Sequence, residues 1–118
     1  MRRKATVALC LALAMVACSL SAAAAYADGY YGDSYYEVSA TIDGRTVYGR
    51  TSVLNRDYEA YVFGEVYRYN TRDVYTTVGP LEEMLSVSFS ADMSFVPLRL
   101  QTQHCINGVL VKTLNVYN

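Results

Sequence analysis

Residues 35–53 constrain the fold most, because they read as two alternating segments joined by Asp43-Gly44. Asp-Gly is typical of a two-residue type I′ turn, in which both central residues need positive φ. One face of the resulting hairpin is then apolar and the other polar. Three cross-strand pairs define these faces: Val38 with Gly49, Ala40 with Val47, and Glu37 with Arg50. The sequence therefore predicts an antiparallel hairpin whose register is well specified.

Similar segments recur at short, regular intervals. Strands are predicted at 58–69, 74–78, 85–91, 95–105 and 109–117. Asn107-Gly108 indicates a second type I′ hairpin, and one helical turn is expected at 81–84, after Pro80. About seven short strands without an amphipathic helix predict an all-β fold. We expect a small antiparallel β-sandwich about the size of an immunoglobulin domain, with a small β-barrel as the alternative.

The first residues have the pattern of an export signal. Arg2, Arg3 and Lys4 precede an uncharged apolar run at 5–20, and Ala25-Tyr26-Ala27 is a small-x-small cleavage site. This order of features predicts a secretory signal peptide over 1–27, of the bacterial export type. A flexible lead-in at 28–34 and a single domain at 35–118 would follow. The protein is therefore expected to be secreted.

A second processing route is open at Cys18. Met15-Val16-Ala17-Cys18 resembles a bacterial lipobox, in which the cysteine is lipidated and becomes the first residue. This alternative would anchor the protein to the cell envelope by lipid. The apolar run itself is too short for a comfortable membrane span, so we expect none after signal removal.

Charge and cysteine content exclude several classes of partner. Without the signal, 7 basic and 11 acidic residues remain, with no cluster of Lys or Arg. Nucleic acid is therefore disfavoured, because its binding depends on neutralising phosphates. Cys105 is the one cysteine left and cannot form an internal disulfide. We interpret it as a packed thiol, with a homodimer linked through Cys105 as the alternative.

The usual catalytic patterns are not found in the sequence. His104 is the only histidine and is expected as a polar residue on a sheet face near the hairpin end. In one strand, His104 and Cys105 would point to opposite faces and could not form a nucleophile pair. No Gly-x-Ser-x-Gly elbow, metal-ligand spacing or phosphate-binding Gly loop occurs. We therefore predict a protein that is not an enzyme and uses no metal or cofactor.

Tyrosine is the distinctive residue type, with 12 in the chain and no Trp. Tyr is a good strand former that often packs half-buried; the functional interpretation is an aromatic surface for an unidentified protein or glycan partner. The predicted binding residues are Tyr61, Phe63, Tyr67, Tyr69 and Tyr75. The predicted function is a non-catalytic β-domain that acts by surface contact. A small secreted antibacterial or inhibitory effector is the alternative.

Overall fold

The computed structural model describes residues 22–68 and 73–118. Over these ranges the chain forms eight β-strands and no helix. The strands are β1 (Ala22–Tyr31), β2 (Ser34–Asp43), β3 (Thr46–Val53), β4 (Glu59–Tyr67), β5 (Thr76–Met84), β6 (Ser86–Asp92), β7 (Arg99–Ile106) and β8 (Val109–Tyr117).

The strands form two four-stranded antiparallel sheets. Sheet A has the order β1-β2-β3-β6, and sheet B has the order β5-β4-β7-β8. The core lies between them and takes the inward-facing side chains of both sheets. The predicted all-β sandwich is confirmed, with eight strands rather than about seven because β1 was not foreseen.

The N-terminal part of the described chain differs from the expected flexible lead-in over 28–34. Residues 28–31 belong to β1, which pairs with β2 from Ala22 to Tyr31. Ala23, Ala25 and Ala27 pack against the core. Alanine has low β-propensity, so this strand depends on its pairing with β2 and was not visible as a pattern.

The first hairpin forms with a different register from the predicted one. Its loop is Gly44-Arg45, and within that loop only Gly44 has positive φ, at 59°, as in a type II′ turn. Partners shift by two residues, so each side chain keeps its predicted face. The observed pairs include Val38 with Thr51, Ala40 with Gly49, Ile42 with Val47, and Glu37 with Ser52. The predicted Glu37–Arg50 pair is therefore wrong; the observed register instead aligns buried Ile42 with buried Val47.

The second hairpin has the predicted turn. Asn107 and Gly108 have φ of 51° and 77°, as a type I′ turn requires. A bulge between His104 and Cys105 then places Lys112 opposite His104.

The helical turn predicted after Pro80 is wrong, because β5 continues through Gly79-Pro80 to Met84. Proline is tolerated there because β5 is the edge strand of sheet B, where a missing N–H breaks no ladder. The chain then passes from sheet B to sheet A through Leu85, which has φ of 72°. The strand predicted at 95–105 begins only at Arg99.

Phe89 packs between the two sheets where glycines leave room for its ring. A Cβ on Gly49 of β3 would lie 2.4 Å from the ring, and one on Gly64 of β4 would lie 2.7 Å from it. Gly64 also adjoins a bulge between β4 and β5. Gly64 therefore marks both a bulge and a close approach of a ring to the backbone, and Phe89 is the bulky side chain that packs on Gly49 and Gly64.

Candidate functional site

The outer face of sheet B carries most of the predicted aromatic site. Along β4, Ala60, Val62, Gly64 and Val66 are buried in the core. Tyr61, Phe63, Glu65 and Tyr67 point the other way, because side chains alternate along a strand. The face spans four strands at about 4.8 Å spacing, so it is about 14 Å wide and about 20 Å long.

Cross-strand pairing places side chains of the neighbouring strands on this outer face. At one end Tyr61 lies between Glu82 of β5 and Cys105 of β7, with Leu110 of β8 beyond. At the other end Tyr67 lies beside Arg99, and Arg99 beside Tyr117. Between these ends the side chains are Phe63, Glu65, Thr77, Gln101, Gln103, Thr113 and Asn115. Aromatic rings therefore occupy both ends, and apart from Phe63 the centre is polar.

Arg99 is held in place by two rings and an amide. Its guanidinium carbon lies 4.6 Å from the centroid of Tyr67 and 5.5 Å from that of Tyr117. Its Nε and one terminal nitrogen donate to Asn115 Oδ1 at 3.3 and 2.9 Å. Gln101 Nε2 donates to the same oxygen at 3.2 Å. These contacts order the Arg99 side chain. Because a guanidinium has five N–H donors, Arg99 keeps donors beyond the two that bond to Asn115.

The stacking on Arg99 changes the role of one predicted residue. Tyr67 is only 6% exposed, because Arg99 covers its ring. Tyr117 is 66% exposed and was not predicted. At this end of the face Tyr117 therefore offers the open aromatic surface, and Tyr67 supports the guanidinium from below.

Tyr75 lies beside the end of this face, in a second aromatic cluster. Its N–H donates to the Val66 carbonyl, and its ring meets Phe95 edge to face at 4.7 Å. Arg68 stacks on both rings, at 5.5 and 5.2 Å. The structure thus brings Tyr61, Phe63 and Tyr67 together, with Tyr75 nearby. Tyr69 lies outside the described residues.

Sequence reasoning missed the contributions of β7 and β8. Arg99, Gln101 and Gln103 alternate with the buried Leu100, Thr102 and His104, a period-two pattern that was readable in the sequence. The pattern gives the faces of one strand only. The placement of β7 beside β4 comes from the sheet order.

His104 is buried between the sheets and is not a surface residue. It is 0% exposed, and its Nδ1 and Nε2 lie 2.7 Å from Thr51 Oγ1 and 2.6 Å from Thr102 Oγ1. Thr51 donates its one hydroxyl proton to the Tyr61 carbonyl at 2.8 Å, so it accepts from His104 Nδ1–H. Nε2 then accepts from Thr102. The prediction of a sheet-face histidine is wrong, because Leu100, Thr102, His104 and Ile106 share the inward face.

Burial also governs the protonation of His104 and Cys105. It lowers the pKa of His104 to about 4, and a hydrogen bond to the Arg50 backbone opposes this. Cys105 is half-buried on the opposite face, as predicted for adjacent strand positions. Burial, and to a lesser extent Glu82, raises its pKa. Both groups are therefore neutral at pH 7 and are not poised as a nucleophile and base.

The described residues show neither a metal cluster nor a spanning helix. In 22–68 and 73–118, no three His, Cys, Asp or Glu side chains converge closely enough to hold a metal ion. Within the same ranges no helix is long and apolar enough to cross a membrane. No family model, curated protein or solved structure matches the chain.

Proposed function

We propose that this protein is an exported, non-catalytic β-sandwich that binds a glycan through the outer face of sheet B. The observation that carries the proposal is the ordered Arg99, stacked between Tyr67 and Tyr117 at the end of an amide-lined sheet face. Export rests on the basic, apolar and small-residue order of the N-terminal sequence.

The distribution of polarity favours a glycan over a protein partner. Protein interfaces usually have an apolar centre and a polar rim. Here the arrangement is reversed, with Tyr61 and Tyr117 at the ends and Gln101, Gln103 and Asn115 in the centre. Aromatic rings pack on the apolar C–H faces of sugars, and amides bond to their hydroxyls in either direction. A sugar chain running along the strands would contact both the aromatic rings and the amides.

The charge of the face favours a neutral glycan. Glu65 and Glu82 outnumber Arg99 on this surface. Burial, Cys105 and Glu82 raise the pKa of Tyr61, so its hydroxyl stays protonated and can donate. An anionic polymer would meet like charge here, which is unfavourable. We therefore expect neutral sugars to bind better than uronate-rich or sulfated ones.

A glycan array with the exported protein tests this proposal. We expect neutral glycans to bind, and Tyr61→Ser with Tyr117→Ser to weaken binding at least about tenfold, since buried aromatic contacts contribute more than 1 kcal/mol each. Tyr48→Ser is the matched control, because Tyr48 is a 41% exposed tyrosine on the outer face of sheet A. Equal loss in the control, or undiminished binding by the double variant, would overturn the assignment of the site.

A further inference from the structure

β1 is an outer strand of sheet A, although its first half lies within the segment predicted to be removed on export. Ala22 to Ala27 pair residue by residue with Asp43 back to Val38 of β2. Signal cleavage after Ala27 would therefore cut through a strand. Four residues of β1, 28–31, would remain paired.

The first half of β1 covers part of the core. Ala23, Ala25 and Ala27 face inward, opposite Ile42, Ala40 and Val38, and pack against the core cluster. Those three β2 residues are each 1% exposed. Loss of the alanines would open the side of the sandwich beside them, where β1 also lies against β8.

The same cut would leave a bare sheet edge. The backbone groups of β2 from Val38 to Asp43 would lose their β1 partners. A flat unpaired edge of that length promotes pairing with other chains. Tyr26 would also be lost, and with it a side-chain hydrogen bond to Tyr35 on the outer face of sheet A.

We infer that export processing cuts the chain ahead of β1, so that the mature protein keeps Ala22–Ala27. A second small-x-small sequence, Ser19-Leu20-Ser21, ends directly before Ala22. Water would add across the Ser21–Ala22 peptide bond, leaving a carboxylate on Ser21 and the new amino terminus on Ala22. The lipobox-like cysteine, Cys18, also lies upstream of β1. The inference rests on the predicted export signal and is independent of the glycan site.

N-terminal sequencing and intact mass of the exported protein test the inference. The full chain is expressed in a bacterium with its own leader and a C-terminal tag, which places the tag after the exposed Asn118. A mature start from Cys18 to Ala22 supports the inference, and a lipid mass on Cys18 would identify that route. A start at Ala23 or later, including Asp28, overturns it, as does retention of Met1.

A matched pair of substitutions tests which of the two sites is cleaved, whether or not the cleaved protein folds. Ala27→Val puts a branched residue at the last position of the downstream cleavage site and should leave the mature N-terminus unchanged. Ser21→Val makes the same kind of change upstream and should block or move cleavage. Accumulation of uncleaved precursor with Ala27→Val, and normal cleavage with Ser21→Val to give Asp28, would overturn the inference.

Discussion

His104 is a titratable side chain in the middle of an otherwise apolar and hydroxyl-bearing core. It connects the sheets, because Thr51 belongs to β3 of sheet A whereas His104 and Thr102 belong to β7 of sheet B. Every nitrogen of the ring has a partner, so the neutral ring is satisfied. In a charged ring Nε2 carries a proton, so Thr102 Oγ1, which donates to Nε2 of the neutral ring, would have to accept instead.

This environment predicts a loss of stability in mild acid. The folded-state pKa of His104, about 4, lies below the value of 6.5 for an unfolded chain. The unfolded state therefore binds the proton first, and the His104 contribution, present above pH 6.5, is lost as pH falls toward 4. The loss amounts to about 3 kcal/mol. Urea unfolding between pH 7 and 4 measures it.

The variant His104→Gln is the control for this pH effect. Carboxyl groups titrate in both proteins, so the difference between the two pH profiles isolates the histidine. We expect the profile of the variant to be flatter between pH 6.5 and 4. Parallel profiles would contradict the buried neutral histidine.

Cys105 should behave as a slow thiol. Its raised pKa means that little thiolate forms at neutral pH, and thiolate is the reactive species. We expect iodoacetamide to alkylate it more slowly in the folded protein than in urea at pH 8. Equal rates would contradict this prediction, and a disulfide-linked dimer on a non-reducing gel would support the alternative that Cys105 pairs two chains.

At the scale of elements, the stability of the β7–β8 hairpin depends on Asn107. Asn107 has left-handed backbone geometry, and its Oδ1 accepts from the Glu59 N–H at 2.9 Å. Its own N–H donates to the Glu59 carbonyl at 3.0 Å. The turn residue thus ties β4 to the β7–β8 hairpin.

Asn107→Ala should therefore destabilise the fold. Alanine adopts left-handed geometry less readily, at about 1 kcal/mol, and it removes a hydrogen bond worth about 1 kcal/mol. We expect a loss of about 2 kcal/mol by thermal or urea unfolding. Arg45→Ala, in the other hairpin loop, is the matched control and should be nearly neutral, because Arg45 has no positive φ. Similar losses in both variants would contradict this account.

At the scale of the whole molecule, Phe89 sets how closely the sheets pack. It is 5% exposed and contacts glycine backbone on both sides. Gly49→Ala should cost about 1–3 kcal/mol, because the added Cβ would lie 2.4 Å from the Phe89 ring, which also packs closely on Gly64. Unfolding of the variant measures this cost.

The double variant Gly49→Ala with Phe89→Leu tests whether the ring is the cause. Phe89→Leu loses packing by itself, but it should relieve the clash with the alanine. The double variant should therefore lose less stability than the sum of the two single variants. Strict additivity would show that the alanine acts through another contact.

The sequence alone determined the class of fold and much of its local structure. Period-two alternation identified the faces of β2, β3, β4 and β6, because side-chain direction in a strand is a local property. The Asn107-Gly108 turn followed from backbone preference.

Only the tertiary structure decided which strands distant in sequence are neighbours. The sheet order places β7 beside β4, so Arg99 meets Tyr67, and Tyr117 covers Arg99 across the β7–β8 hairpin that the sequence predicted. Partnership between strands distant in sequence depends on how the whole core is buried. The same reason applies to β1, because a run of alanines has weak strand propensity. It forms a strand because it pairs with the edge of β2 and its inward-facing alanines pack against the core.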